Sequence, residues 1–212
     1  HLRGGLAHVN IVTSMLFAGI SGSAVADTSG VGSIMIPAME KDGYSRKFAA
    51  AVTAASSVIG PIIPPSIIMV IYAFMMNVSV AALFAAGVVP GVLVGLGLMA
   101  VTAVISKRRN YPKANERASV KRIAEAGGKA ILPLMTPVII LGGIIGGVFT
   151  PTEAASVAAM YALILSVFIL RTLTMRELPQ IFLRAAISCG AILLVVGTAT
   201  AFAWAATLSQ IP

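Results

Sequence analysis

VNIVTSMLFAGISGSAVADTSGVGSIMIPAMEKDGY, residues Val9–Tyr44, is the stretch from which the rest of the chain is read. It is apolar enough for a bilayer. Its middle, Ala18–Ser33, is nevertheless full of glycine, serine and alanine and holds one carboxylate, Asp27. A plain spanning helix does not need Ser21, Gly22, Ser23, Asp27, Thr28, Ser29, Gly30 and Gly32 in its interior. An ionisable residue at membrane depth is costly and marks a functional site by default. Irregular main chain at that depth survives only where it is buried in protein or lines a cavity. The stretch 9–40 therefore reads as two half-length helices folded back at a small polar tip, a re-entrant hairpin. The competing reading is one ordinary spanning helix. Small-residue packing would account for some of its glycines, but not for Asp27 among so many hydroxyls.

Composition sets the class. The chain is 58% hydrophobic and 10% charged, with a mean hydropathy of +0.97; soluble domains carry roughly 25% charged residues. Long unbroken apolar runs, rather than short alternating ones, predict an all-α, polytopic integral membrane protein. The net charge of +8 would raise nucleic acid in a soluble protein. Here the basic residues cluster in short loops between apolar runs, as the positive-inside rule expects, and no nucleic-acid partner is predicted. The single cysteine, Cys189, lies in an apolar run and reads as a small hydrophobe. His1 and His8 have no companions in sequence for a metal site. With no initiator Met and an end just after an apolar run, the chain is expected to be part of a longer protein.

Beyond the hairpin, residues 1–8 read as the end of a loop and residues 41–47 as a basic cytoplasmic turn. Residues 48–76 are long enough to span, but GPIIPPS, Gly60–Ser66, interrupts them with three prolines. Proline removes a backbone donor and breaks a helix, so an unwound loop is expected between FAAAVTAASSV and IIMVIYAFMM. A helix broken at mid-membrane bares carbonyls at one end, which ligate Na⁺, and N–H groups at the other, which attract carboxylates. Residues 79–106 form a plain spanning helix, bent near Pro90-Gly91. Together these make a unit of residues 1–106. Residues 107–129 are a basic cytoplasmic linker, with Lys113–Ala126 as a short amphipathic helix on the lipid surface. Residues 130–212 then supply spans at 130–149, 153–170 and 185–208. Thr150, Pro151 and Glu153 form a helix start of capping-box type. The basic groups at 41–47, 107–129 and 171–184 fall on one side with an even number of crossings between them.

Paired in space, the hairpin tip and the broken helix would offer hydroxyls, carbonyls and one carboxylate. That oxygen set suits Na⁺ rather than a soft metal, and the exposed N–H groups suit an anionic solute. This is the organisation of a secondary transporter. There is no GxxxxGK[ST] sequence, so energy must come from an ion gradient or a partner. A hydrolase is disfavoured, because Ser21 or Ser23 with Asp27 lacks a nearby His base.

Three motifs in order carry a resemblance: GISGSAVADTSGVGSIMIPAMEKDGY (19–44), GPIIPPSIIMVIYA (60–73) and GGVFTPTEAASVAA (146–159). They resemble the large membrane subunit of tripartite ATP-independent periplasmic (TRAP) transporters of the DctM type, over nearly the whole chain. The resemblance implies an inverted-repeat, elevator-type fold in the bacterial inner membrane. It implies sodium-driven uptake of organic acids, often C4-dicarboxylates or sialic acids, with no cofactor beyond the coupling ion. It also implies two partners, a small membrane subunit and a periplasmic solute-binding protein. Carried over, the sodium-binding positions are Ser21, Gly22, Ser23, Asp27, Gly60, Pro61 and Pro64, and the substrate-binding positions are Ser23, Pro65 and Ser66. Thr150, Thr152 and Glu153 match the start of the second repeat. The family's second hairpin and second broken helix are expected after Pro212, so residues 1–212 alone are not expected to transport. The alternative is another ion-coupled anion transporter or antiporter that works without a binding protein.

Overall fold

The structure, a computed structural model, describes residues 3–112 and 120–209. Its regular elements there are helical. It divides into two compact units, His1–Ala162 and Leu163–Pro212, considered separately here.

In the first unit, α1 (Gly5–Ser21) and α2 (Ala24–Lys41) are separated only by Gly22 and Ser23. Gly22 takes φ 60°, a left-handed conformation open to glycine at little cost, and its N–H closes α1 on the Ala18 carbonyl at 3.0 Å. Ser23 then caps α2, accepting from the Ala26 N–H at 3.4 Å. The chain thus turns back on itself: Asn10 near the start of α1 reaches the Met39 sulfur near the end of α2 at 3.6 Å.

α3 (Arg46–Ser57) and α4 (Ile67–Met76) are two halves of an interrupted helix. Ser45 and Ser66 cap them. Between them the chain is held by short turns, with the Ile62 and Ile63 N–H groups both bonded to the Ile59 carbonyl at 2.9 Å. α5 (Val80–Arg108) is a long apolar helix capped by Ser79, and it contains Pro90 without ending there. Its glycines Gly87, Gly91 and Gly95, one turn apart, face Met69 and Ile62, Ile63, and Met15 respectively. A side chain on this stripe would collide with the interrupted segment or with α1. The main core joins α1, α2 and α3 through Ile11, Met39, Phe48 and Ile59. Tyr44, Phe48 and Tyr111 stack at its edge, with ring centroids 4.7 and 4.8 Å apart for the two pairs made by Tyr111.

Several expected boundaries move. Residues 5–8 belong to α1 rather than to a loop, with the His8 ring against the Gly4 carbonyl at 2.9 Å. There is no break at 129/130: α6 runs from Val120 to Ile145 and takes in part of the expected linker. The segment VKRIAEA is made of residues with good or moderate helix propensity, so the helix passes from the basic stretch into the apolar one. Pro133 and Pro137 lie inside α6; each removes one bond, and in membrane helices such losses are tolerated. The expected surface helix at Lys113–Ala126 therefore divides: 113–119 lie outside the described residues, and the remainder is α6.

α7 (Pro151–Ile164) opens with the capping box. The Thr150 N–H donates to Glu153 Oε2 at 2.8 Å, and the Glu153 N–H donates to Thr150 Oγ1 at 3.3 Å. In the second unit a π-helical turn covers Leu165–Ile169, and α8 covers Leu178–Leu208. α8 begins well before residue 185, with Pro179 in its first turn, and so includes Arg184. Among the described residues, three helices are long and apolar enough to cross a membrane: Val80–Arg108, Pro151–Ile169 and Leu178–Leu208. Their apolar side chains face outward, as at Leu93 and Leu193, which suits lipid rather than water.

Candidate functional site

The tip of the α1–α2 turn rests on the unwound segment between α3 and α4. Gly22 touches the segment so closely that a Cβ there would lie 2.8 Å from the Pro65 carbonyl oxygen and 3.1 Å from the Ile67 nitrogen. The Cβ position of Gly19 is 3.8 Å from the Pro64 oxygen. On the other side, a Cβ on Gly60 would lie 2.6 Å from Asp27 Oδ2 and 3.2 Å from both the Ser23 carbonyl carbon and the Ser57 oxygen. Ser21, Gly22, Ser23, Asp27, Gly60, Pro64, Pro65 and Ser66 are therefore brought together. Pro61 lies in the same segment, but none of the hydrogen bonds among the described residues ties it to the tip.

Asp27 is the centre of the cluster. It sits in the first turn of α2 and is fully buried, at 0% exposure. Its Oδ1 accepts from the Ser21 hydroxyl, while its Oδ2 has no partner among the described residues. Burying a charge without a partner is expensive. In the neighbouring segment, the carbonyls of Gly60, Pro61, Ile62, Ile63, Pro64 and Pro65 accept no main-chain hydrogen bond among the described residues; that of Pro65 faces Gly22 at the tip, while that of Ile62 faces Gly87 on α5. Proline explains part of this, since Pro64 and Pro65 have no N–H to give. The cluster offers hard oxygen donors, one of them a buried carboxyl oxygen without a partner among the described residues. Among the described residues no group of His, Cys, Asp and Glu suits a transition metal.

Beside the cluster lies a cavity of about 490 Å³. One wall holds Ser21, Pro65, Ser66 and Ile67, at the start of α4. The opposite wall was not foreseen from the sequence: it consists of Ile140 and Ile144 on α6 and Pro151 and Thr152 at the start of α7. The capping box marked Thr150–Glu153 as a helix start, but nothing local revealed that this start faces Ser66. Glu153 spends its carboxylate on Thr150, as a cap.

Comparison with known proteins places this arrangement. The family model described as the DctM component of the tripartite ATP-independent periplasmic transporter matches residues 1–212. The chain is 44% identical to a sialic acid TRAP transporter large permease protein, SiaM, of Vibrio cholerae serotype O1, over 100% of this chain and 49% of that protein. It is 42% identical to the C4-dicarboxylate TRAP transporter large permease protein DctM of Pseudomonas aeruginosa, over 100% of this chain and 49% of that one. It is 41% identical to the isethionate TRAP transporter permease protein DctMQ of Oleidesulfovibrio alaskensis, over 100% of this chain and 33% of that protein. The chain spans about half the length of the large permeases it matches. These relatives are membrane permeases rather than enzymes. A match along its whole length, together with the apolar helices, makes this chain a multi-pass membrane protein of the DctM family of TRAP transporter permeases.

Proposed function

We propose that the protein is the large membrane subunit of a sodium-coupled importer of organic acids in the bacterial inner membrane. The single observation that carries the coupling is Asp27 Oδ2, buried beside Gly60 where the hairpin tip meets the broken helix and without a partner among the described residues. A bound Na⁺ would compensate that charge with oxygen ligands from Ser21, Gly22, Ser23, Asp27 and the Gly60–Pro64 segment, Pro61 included. The cavity alongside would take the solute, with Pro65 and Ser66 in its lining near the anionic group and the first N–H groups of α4 adding their dipole; Ser23, expected there from the sequence, is not in that lining and caps α2 instead. Relatives are named for sialic acid, C4-dicarboxylate and isethionate, compounds that all bear such an anionic group. By the same family reading, a small membrane subunit and a periplasmic solute-binding protein complete the system. In that scheme the hairpin and the broken helix form part of an elevator-type moving body.

The test is uptake by the full-length protein reconstituted with both partners. Asp27→Asn is expected to abolish the dependence of uptake on Na⁺ while the complex still assembles. An unchanged Na⁺ half-saturation in this variant removes Asp27 from the coupling site.

A further inference from the structure

We infer that a buried polar seam between α1 and α3 holds Asp27 in register over Gly60, making Ser14 and Ser56, with Asn10 and Thr53, positioning residues for the cation. The inference rests on the cation reading of Asp27 given above. Asn10, Ser14, Ala18 and Ser21 recur about a turn apart along α1, and the first three are fully buried. Facing them on α3 are Thr53 and Ser56, at 0% exposure, and Ser57, at 1%. Two bonds cross the seam on successive turns: Asn10 Nδ2 donates to Thr53 Oγ1 at 2.7 Å, and the Ser14 and Ser56 hydroxyls meet at 2.8 Å.

These crossings are not needed to satisfy α3. Thr53 already donates to the Ala49 carbonyl at 2.9 Å. Ser56 and Ser57 already donate to the Thr53 carbonyl at 3.1 and 2.7 Å. What the crossings add is direction. Apolar contact between helices in lipid is non-directional, because lipid tails are as apolar as leucine. Two hydrogen bonds on successive turns set both the height and the rotation of α1 against α3. A further turn along, Ser21 at the end of α1 bonds Asp27 Oδ1, and Gly60, three residues past the end of α3, lies against Oδ2. Clearance there is small: the Gly60 Cβ position is 2.6 Å from Oδ2 and 3.2 Å from the Ser57 carbonyl oxygen. A slip of the seam would change the cage around the cation before it disturbed the solute cavity, whose lining includes none of the four seam residues.

The test uses the full-length permease with its partners in vesicles, reading Na⁺ and solute half-saturation separately. Ser14→Ala removes the crossing bond but leaves Ser56 bonded to the Thr53 carbonyl, so no buried group is orphaned. Ser14→Ala and Ser56→Ala are each expected to raise the Na⁺ half-saturation about fivefold, the size of one hydrogen bond's net contribution. The double variant should go no further, because both changes remove the same bond. Solute half-saturation at saturating Na⁺ should stay as in the wild type, and Thr53→Ser, which keeps the hydroxyl, should behave as the wild type throughout. Unchanged Na⁺ half-saturation in assembled variants overturns the inference. Parallel loss of Na⁺ and solute affinity, or failure of both single variants to assemble, also overturns it, since the seam would then be structural only. Asp27→Asn separates the two claims. If it keeps Na⁺ dependence, the cation reading falls and takes the seam's role with it; if it loses Na⁺ dependence while the seam variants do not shift, only the seam's role falls.

Discussion

Gly60 has no room for a methyl group. A Cβ there would stand 2.6 Å from Asp27 Oδ2, the oxygen proposed to face the cation, and 3.2 Å from the Ser57 carbonyl oxygen. Gly60→Ala is expected to cut sodium-stimulated uptake by at least about tenfold, roughly 1.4 kcal/mol, with normal assembly; initial-rate uptake against Na⁺ concentration checks this. Gly22 is constrained twice, by φ 60° and by the Pro65 carbonyl oxygen 2.8 Å from its Cβ position. Gly22→Ala is expected to destabilise the protein by about 1–3 kcal/mol, the range for strained left-handed backbone. The measurement is the melting temperature of the purified complex. Both glycines were visible in the sequence as candidates. The reason for each was not, because Asp27 and Ser23, which crowd Gly60, and Pro65 and Ile67, which crowd Gly22, belong in each case to the other motif, distant along the chain.

At the scale of the element, the breaks matter more than the helices. α1 stops at Gly22 and α3 stops short of Pro61, each where glycine or proline punctuates the chain. These stops were legible because they depend on local chemistry. The starts of α6 and α8 were less so: charged and apolar residues both continue a helix, so the edge of an apolar run is not the edge of an element. The seat for the broken helix is the Gly87, Gly91, Gly95 stripe of α5. Gly91→Leu would push against Ile63 and is expected to cost about 1–3 kcal/mol through overpacking. The check is a lower melting temperature, with uptake reduced by displacement of the Gly60–Ser66 segment. A melting temperature equal to wild type would show that the stripe is not a tight seat.

At the scale of the whole molecule, α5 provides a topological test. It is a 29-residue helix, Val80–Arg108, capped by Ser79 and carrying Lys107 in its last turn, with mean hydropathy 2.4 in its most apolar window. At 1.5 Å per residue that is more than a hydrocarbon core of roughly 30 Å requires. In intact cells of the native system, a membrane-impermeant maleimide is expected to label Ser79→Cys. It should reach Lys107→Cys only after permeabilisation, if the basic end lies on the cytoplasmic side as the positive-inside rule expects. Cys189, in the middle of α8, should remain unlabelled. Labelling of both engineered positions from the same side would refute a crossing by α5.

Composition and punctuation along the chain were enough to determine a helical membrane protein, the two interruptions, and the family to which the motifs are similar. These are local or additive properties: apolar length, missing N–H groups, glycine where the backbone must turn left-handed. Only the tertiary structure decided what meets what. It set Asp27 Oδ2 over Gly60, drew Asn10 and Ser14 onto Thr53 and Ser56, and closed the cavity with α6 and α7. Such contacts depend on the rotation and height of one helix against another, and apolar sequence leaves both open until specific side chains lock them.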